Sequence, residues 1–140
     1  MSRRTMAGIM ADHNIAGHFV VLLRLWTSMP WGTLWEGLGL EVESFERLGI
    51  PYDTSDRALW QLCQRRAIVL ITANRHDEGP DSLESTIRDL NDPLSLPVIT
   101  IADPEAVLAN RDYAECVAIQ VLEYFLELDN LRGVGRLFVP

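Results

Sequence analysis

The residues best placed to do chemistry follow two short apolar segments of the chain. Asp12 comes directly after the apolar run Met6–Ala11, and the polar stretch Asn74–Asp81 follows the apolar run Ala67–Ile71 closely. A short apolar run bounded by turn residues is typical of a strand buried on both faces of a parallel sheet. The stretch Asn74–Asp81 contains three carboxylates, one histidine, one asparagine and one arginine. Because ligands bind at the carboxyl ends of parallel strands, these residues predict an acidic site, and carboxylate oxygens are what hard cations bind.

The strands that must position these residues are indicated by short apolar runs, and one by alternation of apolar and acidic residues. The alternating segment, Leu40–Phe45, fits an edge position in a sheet. The final segment, Arg136–Val139, either adds a last strand or lies along the surface. The other predicted strands are Met6–Ala11, the run that opens at Ala67, and Pro97–Ala102.

Helices between the strands are predicted from apolar residues at helical spacing and from capping residues. Asn14 is expected to cap the first helix, which runs to about Thr27, and Thr54 or Ser55 to cap the helix that ends at Arg66. The other predicted helices are a short one around Trp31–Trp35, one at Leu83–Leu90 capped by Ser82, one that begins at Asp103-Pro104, and a long amphipathic one through Tyr113–Leu126 that Gly133 stops.

This order of elements predicts an α/β domain of three layers with a mainly parallel sheet of four or five strands, formed by residues 1–140 as one domain. Right-handed crossovers place the carboxyl ends of the strands at one edge of the sheet. We therefore expect Asp12, the loop Asn74–Asp81 and Asp103 to meet at that edge.

The composition is that of an ordinary globular domain with an acidic surface, since 48% of the residues are hydrophobic and the formal net charge is −8. This charge disfavours non-specific binding to nucleic acid, so that any RNA needs a local basic patch. Cys63 and Cys116 fall in apolar helical patterns, which predicts two buried free thiols in a reducing compartment. The sequence shows neither a signal peptide nor a membrane span, and a cytoplasmic location is expected.

Three short motifs lie in order along the chain: Asp12-His13-Asn14, Ser55-Asp56, and Thr72-Ala73-Asn74-Arg75-His76. Together they resemble the PIN-domain-like superfamily, specifically its compact toxin-type proteins. Those proteins typically show Asp-x-Asn after the first strand, Ser-Asp near the start of a middle helix, and Thr-x-Asp-x-Asp after the next strand. The resemblance covers roughly residues 6–101.

The resemblance implies a PIN-like fold and a metal-dependent nuclease, here a ribonuclease and the toxin of a toxin–antitoxin pair. It implies Mg²⁺ or Mn²⁺ as the cofactor, because hard cations on carboxylate oxygens relieve the charge of a phosphate and activate water. By the resemblance, Asp12, Asp56 and Asn74 stand at metal-ligand positions, and Asp81 in the loop after the strand is expected to complete the metal ligands.

Asn74 stands where the superfamily has an acid, and an amide oxygen brings no charge to a metal site. His76, or Asp77 with a shift of one residue, stands at the next acid. The implied catalytic residues are therefore Asp12, Asp56, Asn74 and Asp77, and the implied substrate-binding residues are Asn14, Thr72, Arg75 and His76.

Structural interpretations of the same residues stay open. Asp12 also suits a helix cap, Asp56 the favourable dipole of a first helical turn, and Asn74 an ordinary turn. Asp77 and Asp81 also fit a solvated loop. Thr72 is expected either to bond a carboxylate or to cap its strand.

The departure at Asn74 and the net charge of −8 also favour a second hypothesis, a catalytically inactive PIN-like module that binds a partner protein of the antitoxin type. Trp26, Trp31 and Trp35 recur at near-helical spacing. They suit the core or a homodimer interface, and alternatively the stacking of RNA bases.

Overall fold

Five parallel strands form the central sheet of the molecule. The structure is a computed structural model that describes residues 6–28, 30–73 and 79–140. The strands are β1 (Gly8–Ala11), β2 (Glu41–Glu43), β3 (Ile68–Thr72), β4 (Val98–Ile101) and β5 (Arg136–Val139). They are ordered β2-β1-β3-β4-β5, and every neighbouring pair is parallel. The predicted α/β class with a mainly parallel sheet is confirmed.

Helices connect consecutive strands, as parallel pairing requires. Those in the described residues are a 3-10 helix (His13–Ile15), α1 (Ala16–Trp26), α2 (Gly32–Leu38), α3 (Phe45–Leu48), α4 (Asp56–Arg66), α5 (Leu83–Leu90), α6 (Pro104–Ala109), α7 (Arg111–Leu126) and α8 (Leu128–Leu131). None of them is long and apolar enough to cross a membrane.

Side chains that alternate along the strands form a core on each face of the sheet, which gives the three layers. Ile9 and Val69 pack with the helices α1, α6 and α7 on one face. Met10 and Leu70 point to the opposite face and pack with α3 and α4. Val98 extends this second core towards α5. The strand β3 is buried along its whole length, as its continuous apolar sequence predicts.

Several helices begin where their capping residues predict. Ser55 accepts a hydrogen bond from the backbone N–H of Ala58 at the start of α4, and Ser82 accepts one from Ser85 at the start of α5. Asp103 caps α6 by accepting from the N–H of Ala106. These short polar side chains satisfy N–H groups that the first turn of a helix leaves without a partner.

The prediction that Asn14 caps the first helix is wrong. Asn14 lies inside the 3-10 helix, which starts when the N–H of Ile15 donates to the carbonyl oxygen of Asp12. The cap position of α1 is Ile15, and no side chain bonds there. The tight turn begins directly after β1, so Asn14 already has helical neighbours and cannot act as the extended residue of a cap.

Other boundaries also differ from the prediction. Phe45 ends the predicted edge strand but begins α3 in the structure, because Ser44 caps that short helix through the N–H of Arg47. The long helix α7 ends at Leu126, before the predicted stop at Gly133, and α8 follows it.

The two cysteines are free, as predicted, but only one is buried. Cys63 lies in the core beside Met10, whereas Cys116 is exposed on α7. The prediction of a buried Cys116 is wrong, because it falls between the buried positions of this helix.

Trp26 supports the core interpretation of the tryptophans. Its side chain is 0% exposed, and its Nε1–H donates to the carbonyl oxygen of Ala118 at 3.0 Å. Its ring stacks on that of Trp35 at 4.9 Å between centroids. Trp31 and Trp35 are partly buried against the same core.

Candidate functional site

The carboxyl ends of β1 and β3 lie side by side in the middle of the sheet. The chain leaves β1 towards β2 on one side and returns to β3 on the other, a reversal that in open parallel sheets leaves a crevice between the two connections. Such a reversal of strand order is where open parallel sheets bind their ligands. The backbone N–H of Asp12 donates to the carbonyl oxygen of Ile71 at 2.8 Å, which fixes Asp12 at this point.

Thr72 orients the carboxylate of Asp12. Its Oγ1–H donates to Oδ2 of Asp12 at 3.0 Å, and Thr72 itself is only 1% exposed. The contact joins residues from two separate strands. Of the two roles expected for Thr72, the structure therefore shows the bond to a carboxylate.

Asp56 contributes a second carboxylate, whose charge acts on Asp12. It is the first residue of α4, and its negative charge raises the pKa of Asp12. Burial of Asp12 is the larger cause of the raised pKa, while the hydrogen bonds from Thr72 and from the backbone of His13 lower it in part. Residues from two distant segments of the chain thus meet electrostatically at one edge of the sheet.

Cys63 shows which face of α4 meets Asp12. It lies seven residues, or about two turns, after Asp56 and therefore on the same face of the helix. Burial raises the pKa of its thiol to about 12, and the charge of Asp12 adds to the effect. The buried side of α4 is thus turned towards the end of β1.

Asp81 is engaged by Arg57. Nε of Arg57 lies 3.5 Å from Oδ1 of Asp81, and its Nη2 donates to the carbonyl oxygen of Pro80 at 2.9 Å. The same Nη2 lies 3.1 Å from a carboxylate oxygen of Asp89 on α5. Arg57 therefore ties the segment before α5 to the first turn of α4, next to Asp56.

The other predicted site residues are distributed as follows. Asn14 is exposed on the 3-10 helix, and Asp103 at the end of β4 caps α6. Predictions for four further residues fall outside the part of the chain that the structure describes: Asn74, Arg75, His76 and Asp77.

An aromatic cleft beside Asp12 was not predicted from the sequence. His13 stacks on Tyr52 with ring centroids 4.2 Å apart, and Phe45 lies within 6 Å of both rings. These three side chains line a cleft of about 150 Å³, which we call the aromatic cleft. The available signal was an aromatic residue, Tyr52, in the loop directly after Gly49-Ile50-Pro51.

No family model, no curated protein and no solved structure matches this chain. The PIN-like resemblance therefore stays a prediction from the three sequence motifs, and the site is judged by its own geometry.

Two oxygen-donor side chains suit Mg²⁺ or Mn²⁺. Mg²⁺ is commonly held by one or two carboxylates, while water and substrate phosphates complete its shell. Asp12 and Asp56 supply two carboxylates close enough for the charge of Asp56 to act on Asp12, and a cation between them would offset their repulsion. Within residues 6–28, 30–73 and 79–140, no group of three or more His, Cys, Asp or Glu side chains could hold a metal ion.

Proposed function

We propose that the protein is a metal-dependent ribonuclease with a PIN-like site. The observation that carries the proposal is Asp12 at the end of β1, where the strand order reverses, held by Thr72 and within reach of the charge of Asp56. A carboxyl group whose pKa is raised by burial and by a second carboxylate, in a crevice at the strand ends, is typical of sites that bind hard cations.

Each residue has a separate part in the proposed site. Asp12 and Asp56 would hold Mg²⁺ or Mn²⁺, and the hydrogen bond from Thr72 fixes Oδ2 of Asp12. Asn74 and Asp77 are proposed to complete the catalytic set from the β3–α5 loop. When bound, the cation supplies positive charge against phosphate oxygens and lowers the pKa of water.

The remaining predicted residues would act on the substrate or on the metal from the rim. Asn14, Arg75 and His76 are proposed to contact the RNA, since amides, guanidinium groups and imidazoles donate hydrogen bonds to phosphate and sugar oxygens. Asp81 would contribute to the metal site only with Arg57 beside it, which offsets part of its charge.

Cleavage of a labelled single-stranded RNA in the presence of Mn²⁺ tests the proposal. We expect Asp12→Asn and Asp56→Asn each to lower the rate by about 100-fold or more, because each removes a charge that the cation needs. Asp112→Asn is the matched control, since Asp112 also lies in the first turn of a helix but on α7. Equal rates for all four proteins, prepared in the same way, would refute the nuclease.

A groove among the helices α1, α6 and α7 favours a second candidate function, the binding of an antitoxin-type partner. The groove has a volume of about 540 Å³ and lies between α1 and the α6–α7 junction. Val21, Leu25 and Val107 give it an apolar floor, and Arg24 and Arg111 line its rim, where Arg111 is paired with Glu115 at 2.8 Å. In a chain of net charge −8, this basic rim suits an acidic, apolar segment of a partner.

The partner hypothesis predicts that Arg24→Glu weakens binding to the product of a neighbouring antitoxin-like gene while RNA cleavage is unchanged. An affinity for the partner that Arg24→Glu does not change would contradict binding in this groove. Analytical ultracentrifugation of the protein without a partner tests the predicted homodimer. Such a toxin and its partner would meet in the cytoplasm.

A further inference from the structure

The aromatic cleft begins at the residue that follows Asp12. His13 and Tyr52 stack nearly parallel, with an angle of 19° between their planes. Tyr52 is 53% exposed and His13 is also exposed, so both rings reach solvent. Because the two rings cover each other's inner faces, a planar ligand would stack on an outer face of the pair, close to Asp12.

Neighbouring side chains hold the rings in place. The hydroxyl of Tyr52 donates a hydrogen bond to Oε1 of Glu46, and Phe45 packs edge-on against His13 at 5.9 Å. His13 is fixed at its backbone by the 3-10 helix. A preorganised platform loses little conformational freedom when a ligand stacks on it.

The charges around the cleft select what can enter it. Glu43 and Glu46 line it, and its described lining includes no arginine or lysine, although Arg47 pairs with Glu43 at 3.1 Å. With Glu43 paired to Arg47, the carboxylate of Glu46 supplies the charge that repels a phosphate, and it can accept from the N–H donors of an uncharged planar ring. Carboxylate oxygens accept hydrogen bonds from the exocyclic amino groups of nucleobases.

We propose that the aromatic cleft binds one unpaired nucleobase with an exocyclic amino group, from a single-stranded RNA whose phosphate lies at Asp12 and Asp56. The proposal rests on the proposed function for the identity of the ligand. Single-stranded RNA is recognised mainly by stacking of splayed bases on aromatic side chains, including Tyr and His. The base would be anchored by the cleft and the phosphate by the adjacent acidic site.

Binding of a nucleoside without phosphate, in EDTA, tests the cleft separately from catalysis. The probe is 2-aminopurine riboside, which carries an amino group and loses fluorescence when it stacks. We expect saturable quenching of the probe by the wild-type protein. Tyr52→Ala and His13→Ala should each bind the probe about tenfold more weakly or worse, which is the usual contribution of one base–aromatic stack to affinity. Tyr52→Phe keeps the ring and should bind within about threefold of wild type.

Phe138→Ala is the matched control, since Phe138 is an exposed aromatic residue on β5, at the opposite end of the sheet. It should bind the probe like the wild type. Cytidine should compete better than uridine, which has an oxygen in place of the amino group. Absent quenching, equal quenching by Tyr52→Ala, or equal competition by the two nucleosides would each overturn the proposal.

Asp12→Asn separates failure of the cleft from failure of the nuclease. It should keep the nucleoside affinity while it loses RNA cleavage. Wild-type protein that stacks the probe through Tyr52 but cleaves no RNA would refute the proposed function and leave the cleft as a base-binding site.

Discussion

At the scale of single residues, Asp12 is held in an unfavourable state at neutral pH. Burial and the nearby charge of Asp56 both raise its pKa, and the hydrogen bond from Thr72 only partly compensates. A group whose folded-state pKa is raised favours the folded state less as the pH rises through that pKa. A cation bound by Asp12 and Asp56 would relieve this loss of stability.

Asp12→Asn should therefore stabilise the protein when divalent cations are removed. The amide oxygen can still accept from Thr72, while the charge is gone. We expect the free energy of unfolding at pH 7 to rise by on the order of 1 kcal/mol, the size of one relieved repulsion in a partly solvated site. Urea unfolding in EDTA from pH 4 to pH 8 measures it.

The stability gained by Asp12→Asn should depend on pH in a defined direction. The gain in the free energy of unfolding should be full above the raised pKa of Asp12. It should vanish as the pH falls towards 3.8, the ordinary pKa of an aspartate. At that pH Asp12 is neutral in the folded state and is losing its charge in the unfolded state as well, so the substitution no longer removes a charge. A variant that is less stable than the wild type at pH 7, or a gain that does not change with pH, would contradict the raised pKa.

The position of Asp12 could be predicted from the sequence, while the aromatic cleft could not. A carboxylate that follows a short apolar run lies at a strand end, and neighbouring strand ends meet. The contact between His13 and Tyr52 depends on how residues 50–53 fold back over α3, and no local pattern encodes that path. Cys116 shows the same limit, since helical spacing alone did not tell which side of α7 is covered.

At the scale of elements, the contact between β1 and β2 sets how closely the edge strand approaches the site. Gly8 pairs with Glu41, and a Cβ atom on Gly8 would lie 2.5 Å from the backbone oxygen of Glu41. A backbone atom in a parallel ladder cannot move away without loss of strand pairing. This close approach explains why β1 begins with glycine.

Gly8→Ala should lower the free energy of unfolding by about 1–3 kcal/mol, as is usual for overpacking. Gly17→Ala is the matched control, because Gly17 lies in α1 and an added Cβ there meets nothing within 4 Å. That variant should gain roughly 0.5–1 kcal/mol from the better helix propensity of alanine. Guanidinium unfolding of both variants measures these changes in the free energy of unfolding. A similar loss of stability in the two variants would contradict the close approach of Gly8 to Glu41.

The strands and capped helices could be predicted because each carries a local signal. Val98–Ile101 is a continuous apolar run, and Ser55 and Ser82 precede their helices directly. The 3-10 helix and α3 were missed because each is too short to show a hydrophobic pattern. Their existence follows from tertiary contacts, such as the burial of Phe45 against the core behind β1.

At the scale of the whole molecule, the strand order places the acidic site in the middle of the sheet. A sequence of alternating strands and helices predicts parallel pairing, but it leaves open on which side of β1 each later strand is added. The order β2-β1-β3-β4-β5 sets β1 and β3 side by side, and with them Asp12 and Thr72. Separate segments of the chain thus form one crevice.

The overall charge of −8 makes a cation more important for any phosphate ligand. An RNA backbone that approaches Asp12 and Asp56 meets two carboxylates, and Arg57 nearby is engaged by Asp81, Asp89 and Pro80. A bound divalent cation offsets the charge of these two carboxylates. The function proposed for this fold therefore depends on metal binding by the two aspartates.

Isothermal titration of the protein with Mn²⁺ tests that dependence most directly. We predict one site in the wild-type protein, affinity that falls as the pH is lowered because protons compete for Asp12, and binding about tenfold or more weaker in both Asp12→Asn and Asp56→Asn, with Asp112→Asn unchanged. Wild-type protein that binds no Mn²⁺ at millimolar concentration, or binding that neither aspartate variant weakens, would contradict a shared metal site at this edge of the sheet.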